Sequence, residues 1–467
     1  MRDDFAEAAR PRVAPSLHPD FVSAALWNRA FRRAAQSDTR SVPLVIGLER
    51  SDGSLSRYQT MVFPSEHLYF KASLRYAERL VKSLLWMRGG YKVIVGGPPE
   101  IGEHIRVAYS RRGARAFDAG LMSTAYDKKF AVELTTPEAV PAAIEKTRAL
   151  GRHLDGCRVG FDLGASDRKV CAVIDGESVF TEEVPWDPRS QTEPAYHYHQ
   201  IMSALHQAAS FLPRVDAIGG SAAGIYIENQ AMVASLFRGI PRDLFKKRIK
   251  KMFLRMQKVW KVPLEVVNDG EVTALAGSMS LNANRILGIA LGSSQAGGYV
   301  NDRGNITGWL NELAFVPVDY HDRAPVDEWS GDSGCGVQYF SQQAVFRLAQ
   351  AAGISLDESL LPVDQLKSVQ DFLGRGDERA GRIFETIGCY LGYGIAHYAD
   401  FYDIAHLLIL GRVTSGEAGP VIVKKAQEVL RAEFPELVGR LFLHLPDEES
   451  RRVGQAVAAA SLPVIEK

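Results

Sequence analysis

The spacing of apolar and polar positions predicts an α/β chain from end to end. Near the start, VPLVIGLE (residues 42–49) and YQTMVF (58–63) read as strands, and LRYAERLVKSLLWM (74–87) repeats its apolar positions at helical spacing. YKVIVGG (91–97) is a buried run closed by a turn, and PEAVPAAIEKTRALGRHL (137–154) predicts a helix leading into the next strand. From there the pattern changes to apolar strands that each end in a glycine-rich or acidic turn. These are VGFDLGASDRKVCAV (159–173), VDAIGGSAAGIYIEN (215–229), VPLEVVNDGEVTALAGS (262–278), RILGIALGSSQAGGYV (285–300) and HLLILGRVTSGEAGPVIV (406–423). The alternation Tyr196, His197, Tyr198, His199 suits one face of a strand, and FETIGCYLGYGIAHYADFY (384–402) is apolar enough for core helices. The pattern sets off a polar tail (1–20) and an N-terminal α/β domain (21–155) from the rest of the chain.

Composition narrows the partners. With 467 residues, 46% apolar and 24% charged, the chain is long enough for several cores of ordinary globular make-up. Lys plus Arg equals Asp plus Glu at 55 each, so no overall field draws nucleic acid or an anionic membrane, and neither is expected as a partner. The first residues lack the apolar centre of a signal peptide, and the expected location is the cytoplasm. Cys157, Cys171, Cys335 and Cys389 are too widely spaced for a disulfide framework or a zinc finger.

The turns carry the candidate chemistry. In residues 159–173, Gly160 and Gly164 bracket Asp162, so the backbone can approach a ligand while the carboxylate faces a magnesium shell or its waters. Ser166 and Lys169 offer a hydroxyl and a cation to phosphate oxygens; an ordinary hairpin has the same outline. Asn268 and Asp269 follow the strand LEVV, at the end where open α/β sheets present ligand-binding groups. Asp269 is there either as a proton acceptor or as a helix N-cap.

Taken in order, these segments resemble the phosphate-one, phosphate-two and adenosine motifs of the actin, hexokinase and heat-shock-protein ATPase superfamily. Within it they resemble the ROK family of bacterial sugar kinases and repressors, over residues 156–460. The resemblance implies a two-lobed actin-like (ribonuclease H-like) α/β fold with a mixed five-stranded sheet in each lobe, the lobes spanning residues 156–277 and 278–467, plus the additional N-terminal α/β domain. It implies ATP and magnesium as cofactors, with Asp162 holding the metal directly or through water. Gly164, Ser166, Lys169, Gly292, Ser293, Ser294 and Gly297 would take the phosphates, and the turn from Gly411 to Gly416 the adenosine. Arg412 stands in that turn where a third glycine is common, either touching the nucleotide or lying in solvent. Asn268, Glu312 and Ser235 would bind a small-molecule sugar and Asp269 would be its general base. The implied activity is transfer of the γ-phosphoryl group of ATP to a hydroxyl of a hexose or related carbohydrate; the alternative is a ROK-like sensor without catalysis. A homodimer is compatible with either.

One departure from the family is concentrated in one place. The family's Glu is followed by a zinc-binding His, and here Glu312 is followed by Phe315. The zinc pattern C-x-C-G-x2-G-C reads EWSGDSGC over residues 328–335, where only Cys335 remains. One thiol cannot close a tetrahedral site, so no structural zinc is expected, with Phe315 and Trp329 filling the space. Family repressors carry a winged helix that reads DNA; the strands of residues 21–140 do not fit one.

Overall fold

The computed structural model describes residues 5–145, 150–164, 166–446 and 448–465. It begins with helix α1 (Ala24–Ser37), whose first turn is capped by the Ser23 hydroxyl accepting from the Leu26 N–H. Strands β1 (Val42–Glu49) and β2 (Leu55–Val62), helix α2 (Phe70–Arg88), strand β3 (Lys92–Gly96), helices α3 (Pro99–Ala108) and α4 (Ala116–Ala125) and strand β4 (Ala131–Thr135) follow. The four strands form one sheet in the order β2-β1-β3-β4, with β1 antiparallel to both neighbours and β3 parallel to β4. The helix expected over 137–154 does not form. A 3₁₀ turn at Pro137–Ala139 gives way to extended chain, with Ile144 bridged to Leu55; Lys146 to Ala149 lie outside the described residues. Pro141 accounts for the stop, because a proline pushes the residue before it, here Val140 at φ −67° and ψ 121°, out of the helical region.

The next unit contains β5 (Cys157–Leu163), β6 (Asp167–Ile174), β7 (Glu177–Pro185), α5 (Pro194–Ala209) and β8 (Ala217–Ala222). A small hairpin, β9 (Ile225–Ile227) and β10 (Gln230–Val233), leads to one-turn α6 (Arg242–Leu244), a π-helical turn, α7 (Met252–Trp260), β11 (Leu264–Asn268) and α8 (Asp269–Leu281). The sheet has the expected five strands, ordered β11-β8-β5-β6-β7, with β11, β8 and β5 parallel, β6 antiparallel to β5 and β7 antiparallel to β6. Central β5 is buried along its whole length, and Val159, Phe161 and Leu163 on one face share a core with Ile201 and Leu205 of α5. His197 therefore sits on a helix rather than the expected strand. It is buried, and its Nε2 lies 2.9 Å from the Pro188 carbonyl.

The last unit contains β12 (Ile286–Leu291), β13 (Gln295–Val300), α9 (Gln342–Ala351), α10 (Pro362–Gly374), α11 (Glu378–Ala399), β14 (His406–Leu410), α12 (Ala418–Glu433), β15 (Phe442–His444) and α13 (Glu448–Ala460). Its sheet is mixed, ordered β13-β12-β14-β15, and has four strands among the described residues where five were expected. Helix α13 returns to the preceding unit and covers the second face of its sheet. A Cβ on Gly160 would lie 2.1 Å from the Ala456 carbonyl oxygen, and one on Gly219 1.7 Å from that of Ala459. Gly160 is thus required for helix packing and not for approach to a ligand, and the division at residue 277 is crossed by the end of the chain.

The N-terminal sheet packs one small cluster of its own, Val45, Leu55, Ile94 and Val140, and shares the rest of its core with the last unit. Trp27, Phe31, Tyr76 and Trp86 belong to the same continuous buried cluster as Phe315, Tyr339, Tyr390 and Leu407 of the last unit. Residues 5–20, read as a polar tail, are tied into it: Phe5 packs edge-on against Trp27 and Phe31, and His18 Nδ1 lies 2.8 Å from the Tyr390 hydroxyl. Among the described residues no helix is long and apolar enough to cross a membrane.

Candidate active site

A cavity of about 560 Å³ opens where the three units meet. Asn268, Asp269, Glu312, Ser235, Gly292, Ser293 and Ser294 all line it, so residues from four separated sequence segments converge as expected.

Asp269 begins helix α8, but it is not the cap. Asn268 holds that position, its Oδ1 accepting the Gly270 N–H at 2.8 Å while its Nδ2 donates to the Gly224 carbonyl at 2.8 Å. Asp269 Oδ1 shares the same N–H at 3.0 Å, and the carboxyl keeps a partly exposed face on the cavity. Burial, followed by the charge of Asp162, pushes its pKa up to about 6. Glu312 is also part-exposed, and burial together with the charge of Asp269 pushes it up to about 7. Its backbone is held by the N-terminal domain, since the Glu312 N–H donates to the Trp86 carbonyl and the Asn311 N–H to that of Met87, both at 3.0 Å. A third acid, Glu271, was not foreseen: buried two residues after Asp269, it reaches only the Asn311 amide at 3.3 Å, and burial raises it to about 8.

Asp162 lies near the end of β5 beside Ser221 of β8, whose hydroxyl donates to Oδ1 at 2.6 Å. Lys169, across the hairpin on β6, sits 3.7 Å from Oδ2 and 3.4 Å from Asp167. Burial raises the Asp162 pKa, against the pull of Ser221 and Lys169. The Ser166 hydroxyl is turned onto Asp167 at 2.9 Å, and the Gly164 N–H donates to the Asp167 carbonyl, so both expected phosphate donors are engaged inside their own turn. None of these six residues lines the cavity that holds Asp269.

The turn between β12 and β13 divides similarly. Ser293 and Ser294 are exposed on the cavity, whereas the Gly292 N–H donates to the Ser294 carbonyl at 2.9 Å. Gly297 is not part of the turn. It lies in β13 opposite Ile289, where a Cβ would sit 2.7 Å from the Asn311 carbonyl; a Cβ on Gly270 would meet the Gly297 carbonyl at 2.3 Å. Its role is close packing beneath the first turn of α8. Gly411, at φ +107°, passes so near the end of β12 that a Cβ would lie 2.3 Å from the Leu291 carbonyl. That contact joins the expected adenosine turn to the residue before Gly292. Arg412 and Gly416 are exposed and stand outside the cavity wall.

Several lining residues had no local sequence signal. Arg189 has a buried Nε without a hydrogen-bond partner, and Gln295, also buried, donates to the Tyr398 hydroxyl at 3.0 Å while its Oε1 has none. Trp86 and Leu121 reach the cavity from α2 and α4 of the N-terminal domain.

The loop matching the zinc segment is built on charge as well as aromatic packing. Phe315 stacks on Trp86 at 4.1 Å between centroids and contacts Trp329 at 5.4 Å, the two expected fillers meeting across the gap. Beneath them, buried Asp332 receives Lys82 at 3.1 Å, Arg79 at 2.9 Å and Arg115 at 2.6 Å, all from the N-terminal domain. Burial alone would raise the Asp332 pKa; the three cations hold it well below the usual carboxylate range. Cys335 Sγ lies 3.8 Å from Asp332, and burial pushes its thiol up to about 12. Among the described residues no group of three or more His, Cys, Asp and Glu is placed to hold a metal ion.

No protein-family model matches the chain, and no curated protein matches it by sequence. Solved structures do. The ROK hexokinase from Thermus thermophilus superposes with a TM-score of 0.50 at 16% identity, over 65% of this chain and 97% of that one. The chain has the fold of the ROK proteins. A ROK family transcriptional regulator, described as a homologue of the E. coli MLC protein, matches with a TM-score of 0.50 at 18% identity, over 78% of this chain and 89% of that one. Trp86 and Leu121 bring the N-terminal domain into the wall of the cavity, and Lys82, Arg79 and Arg115 tie that domain to Asp332.

Proposed function

We propose that this protein is a ROK-type carbohydrate kinase that transfers the γ-phosphoryl group of ATP to a hydroxyl of a hexose or related sugar. The observation that carries the reading is Asp269. Asn268 takes over the capping of α8, so the Asp269 carboxyl faces the cavity beside Glu312, with a pKa of about 6 that suits a base working near neutral pH. Phosphoryl transfer asks little covalent chemistry of a protein and depends on positioning and charge. Asn268, Glu312 and Ser235 would hold the acceptor by its hydroxyls while Asp269 accepts the proton of the reacting one. Ser293 and Ser294 offer exposed hydroxyls at the turn where phosphates would lie, and a Cβ on Gly292 would find no atom nearer than 3.6 Å, leaving room for a ligand. Asp162 would hold magnesium through water, since one of its oxygens already takes the Ser221 hydroxyl and the other lies near Lys169. Magnesium ATP, when bound, supplies the phosphoryl group and neutralises charge on its oxygens.

A second reading is a sugar sensor without catalysis. It is favoured by the engagement of the Gly164 and Gly292 N–H groups and the Ser166 hydroxyl within their own turns. The test is ADP release from magnesium ATP across hexoses, amino sugars and cyclitols, beside Asp269→Asn. Release that needs one acceptor and is lost in the variant supports the kinase; binding of sugar or nucleotide in a thermal shift with no release supports the sensor.

A further inference from the structure

The whole-chain balance of 55 cations against 55 anions, which offers no field for nucleic acid, averages over a local excess. Between Arg242 and Lys261 the chain carries nine Lys and Arg and one acid, Asp243. This stretch forms α6, the π-helical turn at Phe245–Ile249 and α7, on the unit that carries β5. Ile249, Met252, Phe253 and Met256 are buried in that unit's core and pin the backbone. All nine cations except Lys250 and Arg255 are exposed. Lys250 reaches Asp127 of the N-terminal domain at 3.0 Å, the one ion pair that the nine make among the described residues. Lys128 and Lys129, next to that aspartate, are exposed as well and carry the surface onto the second domain.

Stability does not account for this concentration. A face kept only for solubility mixes both signs, as the chain does overall. Lys246, Lys247, Arg248, Lys250 and Lys251 all precede α7, at the end where the helix dipole disfavours positive charge, and of these five Lys250 alone has a carboxylate partner. Lys251, which caps α7, and Lys258 stand two turns apart on one helix face, about 10 Å, over which a nucleic acid duplex carries about six charges. We infer that this surface holds the phosphate backbone of a nucleic acid duplex without reading its sequence. Two observations favour a duplex over other polyanions. A basic helix that lies on a membrane inserts Trp, Phe or Leu, and here Val259, 56% exposed, is the only large apolar side chain that the segment leaves exposed. Exposed rings on which single-stranded bases could stack are missing from it too, Phe245 and Trp260 being half-buried. None of the nine cations lines the cavity that holds Asp269, so the inference stands apart from both the kinase and the sensor readings. The surface is also separate from the N-terminal domain, where family repressors carry their winged helix.

The test is fluorescence anisotropy of two short DNA duplexes of unrelated sequence, titrated with the whole protein between about 50 and 200 mM salt. Both duplexes are expected to bind alike, with a Kd of about 10 μM or tighter at the lowest salt and a log–log salt slope of about 4 or steeper. Combining Lys246→Gln, Lys247→Gln, Arg248→Gln and Lys251→Gln should weaken binding about tenfold or more and take roughly two units or more off that slope. A control combining Arg33→Gln, Lys71→Gln, Lys367→Gln and Arg382→Gln removes the same charge from exposed positions elsewhere and should leave affinity and slope nearly unchanged. Every substituted side chain is exposed, and circular dichroism should show both variants folded. Five results would each overturn the inference: no saturable binding at the lowest salt, a strong preference for one sequence, binding that survives the four substitutions, an equal loss in the control, or tighter binding to the unpaired strands or to phosphatidylserine vesicles than to the duplexes.

Discussion

Two groups of buried carboxylates, one on either side of Trp86 and Phe315, meet opposite fates. In the cleft, burial raises Asp269 to about 6 and Glu312 to about 7, the charge of Asp162 adding to the first and that of Asp269 to the second. Behind the aromatic wall, Asp332 is buried as well, but Lys82, Arg79 and Arg115 surround it and hold it ionised. The same burial therefore produces a group that can exchange a proton near neutral pH and another that cannot. The difference is the presence of paired cations, and it separates a site for chemistry from a piece of scaffolding.

The comparison breaks most sharply at its two centres. Asp269→Asn should lower turnover at least about a hundredfold, the scale for losing a general base, with the fold intact by circular dichroism. Lys82→Met leaves Asp118 and Asp332 short of a cation at a fully buried position and should cost roughly 3–5 kcal/mol in urea denaturation at pH 7. A smaller contrast lies in how stability follows pH. Asp269 has its folded pKa raised from 3.8 to about 6, so its contribution is fully present below the unfolded pKa and is lost as pH rises through about 6. Asp269→Asn should accordingly stabilise the fold at pH 8, by up to roughly 3 kcal/mol, and add little at pH 4. Asp332 has the opposite sign. Its contribution is present above the unfolded value near 3.8 and is lost as pH falls below it, so Asp332→Asn should be most destabilising at neutral pH. The smallest effect is expected from Ser221→Ala, which removes the donor 2.6 Å from Asp162. It should cost about 1 kcal/mol of stability and raise the magnesium concentration needed for half-maximal activity.

What could be read from the sequence was local. The apolar run before Asn268 and Asp269, the turn at Gly292 to Ser294 and the strand ending at Asp162 are each specified within a dozen residues, and the structure has strand, turn and helix there. What escaped depends on distant partners. Gly160 and Gly297 looked like ligand glycines, but each is small because another backbone passes close by, α13 in one case and the loop at Asn311 in the other. Nothing near residue 448 marks that helix as returning to the β5 sheet. Trp86 and Lys82 lie on an ordinary amphipathic helix and Leu121 on a short apolar one, and the shared core between the N-terminal sheet and the last unit brings them to the cavity wall and to Asp332. Pro141 was in view throughout, and its effect on Val140 was sufficient to exclude the helix over 137–154.

The central claim is that Asp269 is kept unpaired so that it can take a proton from a sugar hydroxyl. The pH dependence of kcat/KM for acceptor phosphorylation tests it most directly. An acidic limb with an apparent pKa near 6, along which activity rises with pH, is expected for the wild-type protein, and Asp269→Asn should be depressed at every pH and lack that limb. A profile that stays flat down to pH 5, or an Asp269→Asn variant that keeps the wild-type limb, would contradict it.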